Sequence, residues 1–547
     1  MTSIYSIFAI AIISVGLLFF GVFLTHSGKL TYFINFLIMI YFSYFLWLEN
    51  TGIFIRLDTV NSLDSLITIQ EDSIFFRFFI IYSTIILIIF FIGIIDRFFF
   101  SKISIYEFPI LIIFLFFGGL FTLSLHTFID IFLGLEIVTL ASYVLITFER
   151  QNRFSTYAGI QYFILGSLPS AMLLIAFGLF YLQGGSVALQ DLDILFNTIS
   201  QVSEIESNSI SFIFNSVSIN FNKEFSETTW HLFNLDISFF DIDKLNIRLE
   251  NINPENSLRL RAISFLFFNF FFKLTAAPFH VWAPSVYGKA PIVSVTFLSI
   301  YSKIRIFFLI YKLINGFLHR FSFVILIIFI LIGRLTIVIG ILGAFSEKSI
   351  KPFFVYSSIG HVGFILIGLA LGTIEGAIAS FHYLFIYILS SFVIWFILLI
   401  IDRNTIKLNQ FAILKQINPL LAVFFAFLIF SMSGIPPFAG FFIKLDVLAA
   451  VIDSSHFFVT YFLFICTVIS FYYYLRLIKI IYFDVQDKPV QADILISFSS
   501  VYPTEYAYQN FYRFWIVSVI RLILSGYRFI MQKPIFIIGR EILSSLN

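Results

Sequence analysis

Cysteine and charge are both scarce in this chain. Cys466 is the single cysteine among 547 residues, which excludes an internal disulfide framework and an iron–sulfur cluster bound by cysteines. Charged residues make up only 12% of the sequence, whereas an average soluble protein has roughly 25%. The sequence also contains no glycine-rich phosphate loop, no metal-ligand cluster and no nucleophile–base pair. It therefore predicts a membrane protein without a cofactor, metal or nucleic acid of its own.

The amino terminus carries no recognisable targeting segment. Its first apolar stretch continues to about residue 24 without a basic start or a small-residue cleavage site, and no transit peptide rich in Arg and Ser is present. Phenylalanine occurs 79 times, and Phe and Ile fill positions where Leu, Val or Ala would serve equally well. Because Phe and Ile have A/T-rich codons, we expect the chain to be encoded in an A/T-rich organellar genome.

Long apolar runs dominate the sequence, which is 60% hydrophobic with a mean hydropathy of +1.00. A helix needs about 20 apolar residues to cross a bilayer. The predicted fold class is therefore an all-α polytopic membrane protein with about fourteen transmembrane helices. They are predicted at residues 4–24, 30–48, 74–96, 105–124, 126–147, 157–182, 262–284, 291–311, 321–344, 353–372, 376–401, 418–452, 457–482 and 509–531. Basic residues lie mainly in the loops after odd-numbered helices, which places those loops in the matrix or cytoplasm and both termini on the opposite side.

A polar segment interrupts this series between residues 190 and 260. It contains eleven Asp and Glu residues against four Lys and Arg residues, and stretches of alternating apolar and polar residues in it predict short strands. We expect a solvated insertion on the outer face, or a contact surface for accessory subunits, in preference to a catalytic role. A second polar linker, 484–508, precedes the last helix.

Four ionisable residues lie near the middle of otherwise apolar helices: Glu136, Lys273, Lys303 and Lys444. A charge at the bilayer centre costs at least ~2.5–3.5 kcal/mol, so such residues are rare and usually functional. A structural role is the alternative, because hydrogen bonds can hold a carboxyl neutral and a lysine can extend to the membrane surface. The depth of the four residues favours a chain of titratable groups for a proton or cation path.

Two of the predicted helices contain prolines beside a lysine. Pro278 follows Lys273, and Pro436 and Pro437 precede Lys444. Because Pro278 lies about one turn after Lys273, we expect carbonyls released by the break to solvate this lysine. Proline removes a helical hydrogen bond, and irregular backbone at membrane depth occurs only inside protein or along a hydrated cavity. Two broken helices, five helices apart and starting on opposite faces, predict inverted repeats like those of transporters. The predicted parts are 1–100, a first repeat 101–312, a second repeat 313–483, and the linker with the last helix 484–547.

Three histidines are further candidates for the same path. His280, His361 and His382 lie in apolar segments, and imidazole titrates near neutral pH. A single histidine of this kind is more often a hydrogen-bonded core residue, so that alternative stays open for each. Arg305, two residues after Lys303, is interpreted as a structural residue on a different side of the helix.

These groups suggest a coupled mechanism. A carboxylate near a buried lysine stabilises the protonated amine, and withdrawal of the carboxylate favours proton release. Movement of Glu136 away from Lys273 would send a proton toward Lys303 and then Lys444, through water admitted at the two helix breaks.

Several sequence strings resemble the antiporter-like membrane-arm subunits of respiratory complex I, the NADH:ubiquinone oxidoreductase. They include FLGLEIVTLASYVL, FKLTAAPFHVWAPSVY, YSSIGHVGF and SGIPPFAGFFIKL, within a match from about residue 75 to 485. The resemblance implies that Glu136, Lys273, Lys303 and Lys444 form the proton path. Lys444 stands where subunit 4 has a glutamate, and the long lateral helix of subunit 5 is absent, so the resemblance is to the subunit 2 group.

The resemblance also implies a cellular setting. The chain would bind no cofactor, whereas its assembly uses NADH, FMN, iron–sulfur clusters and ubiquinone. Its partners would be other membrane-arm subunits, including the sister antiporter-like subunits, together with lipids and with accessory subunits at residues 190–260. Its location would be the mitochondrial inner membrane, with both termini on the intermembrane-space side. Two alternatives stay open: a cation/proton antiporter subunit of a non-redox complex, and a purely structural spacer.

The chain departs from the family pattern at four positions. The family has Glu and Lys where this chain has Tyr157 and Gln161, and it has acids near Ser285 and Gly288. A path that relies on those charges is not expected here.

Overall fold

The computed structural model of the protein describes residues 107–124, 127–189, 191–192, 194, 254–401, 408–412, 414–415 and 419–483. Within these ranges every named element is a helix, and one isolated bridge pairs Thr127 with Ala188. Several predicted features lie outside the described residues: the helices at 4–24, 30–48, 74–96 and 509–531, the strands of the insertion, and the linker 484–508.

Twelve α-helices make up the described part of the chain. In order they are α1 (Glu107–Ser124), α2 (Phe128–Ile146), α3 (Arg153–Gly184), α4 (Pro254–Lys273), α5 (Trp282–Lys289), α6 (Ile292–Asn315), α7 (Ser322–Ser346), α8 (Ile350–Ala370), α9 (Ile374–Ile401), α10 (Pro419–Ser433), α11 (Ala439–Asp453) and α12 (Phe457–Tyr482). Each span predicted between residues 105 and 482 coincides with one of these helices or with a pair of them. Seven helices are long and apolar enough to cross a membrane: α2, α3, α6, α7, α8, α9 and α12.

Two helices extend further toward the N-terminus than the hydropathy prediction. α3 begins at Arg153, before the predicted 157, since the Asn152 side chain accepts a hydrogen bond from the Phe154 N–H at 3.0 Å. α4 begins at Pro254, inside the range 190–260 assigned to the insertion. Proline suits the first position of a helix, and the first turns of α4 are polar, so an apolar run could not reveal them.

The helices α6, α8 and α9 form the centre of the bundle. In each of these helices, 94% of an apolar 18-residue stretch is buried, whereas the corresponding value is 33% for α3 and α12. The central helices carry Lys303, His361 and Tyr387, so the ionisable groups face the interior of the bundle, as expected for charges at membrane depth.

Both predicted helix breaks are present. The first separates α4 from α5 and includes a cis Ala277–Pro278 peptide, and the second separates α10 from α11 and includes a cis Pro436–Pro437 peptide. Side chains and backbone groups from neighbouring segments satisfy the interrupted backbone. The Ala277 N–H, for example, donates to Thr336 Oγ1 on α7 at 3.1 Å.

Candidate functional site

Glu136 lies half-buried on α2 near two basic side chains. Its Oε2 accepts a hydrogen bond from Thr139 Oγ1 at 3.0 Å. Its charge acts on Lys273 at the end of α4 and on Arg305 on α6, although neither forms an ion pair with it in the described part of the chain. We refer to Glu136, Lys273 and Arg305 as the Glu136 cluster, which connects three helices electrostatically.

Lys273 is the last residue of α4 and is only 6% exposed. Its Nζ has no hydrogen-bond partner among the described residues. The sequence suggested that carbonyls released by the helix break would solvate this amine. The Phe270, Phe271 and Phe272 carbonyls instead accept hydrogen bonds from the backbone of the break, and Phe272 also from the Trp282 indole. That expectation was therefore wrong, because the break satisfies its own carbonyls.

Arg305 is fully buried and closer to the site than the sequence indicated. One guanidinium nitrogen donates to the Gly134 carbonyl at 3.5 Å, two residues before Glu136 on α2. Its position brings a permanent positive charge beside Glu136 and opposes a second charge on Lys273. Arg305 lies as deep in its helix as Lys303, and this depth was the sequence signal that should have made Arg305 a candidate site residue.

Lys303 lies in the middle of α6 and is 1% exposed. Its Nζ donates to Tyr387 Oη on α9 at 3.0 Å and lies 5.0 Å from the centre of the same ring. A hydrogen bond combined with a cation–π contact holds a buried ammonium without a carboxylate. Beside it is a small cavity with an otherwise apolar lining of Leu274, Phe307, Val362, Ile365, Leu366 and Leu384.

His361 on α8 is held at both ring nitrogens. Nδ1 is 2.8 Å from Tyr383 Oη, and Nε2 is 2.9 Å from Tyr474 Oη. Its ring centre is 5.3 Å from that of Tyr387, so the partner of Lys303 also packs against His361. His361 is thus both a hydrogen-bonded core residue and a neighbour of the lysine.

Lys444 on α11 is 5% exposed and interacts with the second helix break. Its Nζ donates to the Ser433 carbonyl, the last of α10, at 2.8 Å. A cavity of about 10 Å³ separates Lys444 from His361 and Tyr387, with space for roughly one water. We refer to Lys303, Tyr387, His361 and Lys444 as the central row.

The other two histidines lie away from the central row. The His382 Nδ1 is 3.4 Å from Asp446 Oδ2, in a partly exposed pair between α9 and α11. His280 is half-buried in the first break, with its ring centre 6.4 Å from that of Tyr356. Pro278, Pro436 and Pro437 shape the backbone of the two breaks, and their rings carry no polar contact.

An apolar segment separates the Glu136 cluster from the central row. Leu274, which follows Lys273 directly, lines the cavity beside Lys303 together with Phe307, Leu366 and Leu384. No hydrogen bond between Lys273 and Lys303 is present among the described residues. The path predicted from the sequence is therefore interrupted between Lys273 and Lys303 in the described part of the chain.

Tyrosines are the site residues that sequence reasoning missed. Tyr383 and Tyr387 are four residues apart on α9 and consequently share one helix face, and both are buried. Tyr474 on α12 completes the set around His361. The spacing of the two α9 tyrosines was visible in the sequence, but the abundance of aromatic residues concealed it.

Contacts without a carboxylate lie where the chain departs from the family pattern. Gln161 Nε2 on α3 donates to Ser285 Oγ on α5 at 3.0 Å. Lys289 Nζ lies 4.2 Å from the centre of the Tyr157 ring. The charged positions of the family are thus replaced here by a hydrogen bond and a cation–π contact between the same two helices.

The described residues contain no group of three His, Cys, Asp or Glu side chains that could hold a metal ion. Protonated lysine, protonated histidine and the tyrosine hydroxyl can each donate a proton, and their deprotonated forms can each accept one. The chemistry available to this arrangement is therefore proton transfer inside a buried row.

The sequence is similar to a family of membrane proteins. Residues 126–223 and 225–470 match the profile described as NADH:quinone oxidoreductase/Mrp antiporter, transmembrane. NADH-quinone oxidoreductase subunit N of Rhodospirillum rubrum is 31% identical over 390 residues, which cover 71% of this chain and 69% of that protein. NADH-ubiquinone oxidoreductase chain 2 of Marchantia polymorpha is 30% identical over 369 residues, covering 67% of this chain and 65% of that protein.

A solved structure has the same fold. A chain of respiratory complex I from Thermus thermophilus with bound aureothin superposes with a TM-score of 0.65, and the match covers 95% of this chain and 96% of that chain. At 21% sequence identity this likeness concerns the fold alone.

Proposed function

Because the chain belongs to the NADH:quinone oxidoreductase/Mrp antiporter family of membrane proteins, we propose that it is a proton-translocating membrane subunit of an NADH:quinone oxidoreductase. It would correspond to subunit N or chain 2 of its relatives. The observation that carries this proposal is the central row, in which a hydrogen bond joins buried Lys303 to Tyr387, and one cavity is lined by Tyr387, His361 and buried Lys444. A helix bundle that only filled space in a membrane arm would be destabilised by these charges.

The central row transfers protons between groups that either contact one another or line the same small cavity. Lys303 gives a proton to Tyr387, whose hydroxyl can donate and accept at once. Tyr387, His361 and Lys444 line one cavity, and the proton crosses this cavity to Lys444. Lys303 and Lys444 both act electrostatically on His361, and like charges repel. Protons therefore occupy the row in turn and not all at once.

The Glu136 cluster controls the supply of protons to this row. Glu136 attracts the charge of Lys273, whereas Arg305 repels it. Movement of Glu136 would leave the repulsion by Arg305 uncompensated and drive a proton from Lys273 across the apolar segment toward Lys303. Hydration of this segment, beside the first helix break, would be the controlled step.

The same proposal includes the wider architecture. We infer fourteen helices in two inverted repeats, 101–312 and 313–483, each with one of the two helix breaks. The assembly would carry NADH, FMN, iron–sulfur clusters and quinone on other subunits, while this chain holds protons only. The similarity to chain 2 of a plant and the A/T-rich composition support an organelle-encoded protein of the mitochondrial inner membrane, whose partners are the other membrane-arm subunits.

A cation/proton antiporter of a non-redox complex is the second candidate, since the family includes Mrp antiporters. The two functions differ in their energy source. A native gel of the source membranes, stained for NADH oxidation, should contain this chain in a large active band. Its presence only in small inactive bands, with sodium-dependent proton exchange in vesicles, would favour the antiporter.

The proton path is tested in the assembled complex reconstituted into liposomes. Lys303→Met keeps the length and most of the volume of the side chain but removes its proton. We expect NADH-driven proton pumping to fall at least tenfold while NADH oxidation with a soluble acceptor is retained. Normal pumping in both Lys303→Met and Lys444→Met complexes would contradict the proposed function.

A further inference from the structure

Three buried polar side chains at the end of α4, one of them Lys273, have no role in the central row. Asn269 on α4 is fully buried, and neither its Nδ2 nor its Oδ1 has a hydrogen-bond partner among the described residues. Lys273 Nζ and Thr275 Oγ1 are also buried without a hydrogen-bond partner among the described residues. The large majority of buried polar side chains are hydrogen-bonded. Three without a protein partner in one short stretch indicate a binding site.

Helix geometry brings Asn269 and Lys273 together. They are four residues apart on α4, and side chains with this spacing are neighbours, with Cβ atoms about 5–6 Å apart. Thr275 follows in the helix break with a φ of 62°, a conformation that is unusual for a β-branched residue and that concentrates at functional sites. The three polar side chains therefore lie in the last two turns of α4 and at the start of the break that follows it.

The chemistry of the three groups selects the ligand. The ammonium of Lys273 only donates, the amide of Asn269 donates and accepts, and the hydroxyl of Thr275 does both. A metal cation would be repelled by the ammonium, and an anion would leave the acceptors Oδ1 and Oγ1 unused. Water accepts from Lys273 and donates to Asn269 or Thr275, and buried water typically makes about three such bonds.

We propose that Asn269, Lys273 and Thr275 bind buried water and that Asn269 is a positioning residue that keeps Lys273 hydrated. The water site rests on the burial of the three side chains and on their polar atoms without a partner among the described residues, while its effect on pumping rests on the proposed function. The charged groups that act on Lys273 are Glu136 from α2 and Arg305 from α6. Hydration stabilises the ammonium against the repulsion by Arg305, so Lys273 can hold a proton until Glu136 moves.

Asn269→Leu tests the proposal because leucine is similar in volume and removes both polar atoms. If Asn269 were only structural, exchanging an unpartnered buried amide for an apolar group would be neutral or stabilising, and pumping would not change. We expect normal assembly and thermal stability, but the alkaline limb of the pH profile of NADH-driven pumping should move to lower pH by roughly one unit. Lys273 without water loses its proton more readily, which gives the shift this sign.

Two further variants complete the experiment. Thr275→Val, which is nearly isosteric, should shift the profile in the same direction. Ser294→Ala removes a buried hydroxyl on α6 that donates to the Pro291 carbonyl at 2.8 Å, and it should leave the profile unchanged. If the Asn269→Leu complex fails to assemble, Thr275→Val decides the question.

Two results would overturn the proposal. One is an unshifted pH profile in the Asn269 and Thr275 variants, and the other is a cryo-EM map that resolves ordered water elsewhere in the complex but none beside Asn269. The Lys273→Ala variant distinguishes failure of the hydration proposal from failure of the proposed function. If Lys273→Ala stops pumping while Asn269→Leu does not affect it, only the hydration site is wrong. If Lys273→Ala, Lys303→Met and Lys444→Met all pump normally, the proposed function itself is wrong.

Discussion

At the scale of single residues, Tyr387 holds the central row together. It accepts the hydrogen bond of Lys303 and packs against the ring of His361, so one tyrosine contacts two ionisable groups on different helices. Burial of Lys303 without a carboxylate depends on this contact, because its ammonium has no other hydrogen-bond partner among the described residues and an unsolvated charge is costly.

Tyr387→Phe should slow proton pumping without dismantling the bundle. The phenyl ring keeps the packing and the cation–π contact, but the hydrogen bond to a charged group, worth roughly 1.5–3 kcal/mol, is lost. We expect pumping to fall about tenfold to a hundredfold, measured as proton uptake per NADH oxidised.

Tyr301→Phe is the matched control for that variant. Tyr301 is also buried on α6, and its hydroxyl donates to the Phe116 carbonyl at 3.2 Å, outside the central row. Its removal should cost stability of the order of 1 kcal/mol and leave pumping unchanged. Equal loss of pumping in both variants would mean that the hydroxyl of Tyr387 is structural.

At the scale of helix pairs, α7 and α8 touch through glycine. A Cβ built on Gly340 would lie 2.4 Å from the backbone nitrogen of Gly360, so any side chain would force the two helices apart. Small residues permit such close approach in membranes, where packing and not the hydrophobic effect drives association. The contact fixes α8, which carries His361.

Gly340→Ala should lower the thermal stability of the assembled complex by roughly 1–3 kcal/mol. Gly178→Ala on α3 provides the control, since a Cβ there meets nothing within 4 Å and alanine favours a helix by about 1 kcal/mol. Stability is measured as the temperature at which the complex dissociates. A Gly340→Ala complex as stable as the Gly178→Ala complex would show that α7 and α8 can separate freely.

Charged residues can be introduced by mutation into the contact between α3 and α5. Gln161→Lys alone should place an unpaired ammonium against Ser285, and Ser285→Glu alone an unpaired carboxylate. The double variant restores an ion pair, so the two effects on assembly should cancel in part, with a coupling of about 0.5–3 kcal/mol. Additive effects in the double-mutant cycle would mean that Gln161 and Ser285 are independent.

At the scale of the whole molecule, electron transfer and proton transfer should be separable. The chain contributes protonatable groups in two places, the Glu136 cluster and the central row, with apolar residues between them. Removing the amine of Lys444, at one end of the central row, should therefore disturb proton movement. Electron transfer on other subunits should continue.

Lys444→Met should uncouple NADH oxidation from proton pumping. We expect NADH oxidation by a soluble acceptor within the range of the unaltered complex, and pumping reduced at least tenfold. His382→Gln is the comparison, because the His382–Asp446 pair lies outside the central row and its loss should have a smaller effect. A larger loss of pumping in His382→Gln than in Lys444→Met would place the path through that pair.

Helix positions followed from the sequence, while partners followed from tertiary structure. Apolar run length placed α12 at the predicted residues 457–482, and prolines located both breaks, because transfer into lipid and loss of a backbone donor are local properties. The pairing of Lys303 with Tyr387, 84 residues apart, depends on how α6 and α9 rotate and pack. Rotation is decided by contacts along whole helices, so the four charges were visible in the sequence and the row that joins two of them was not.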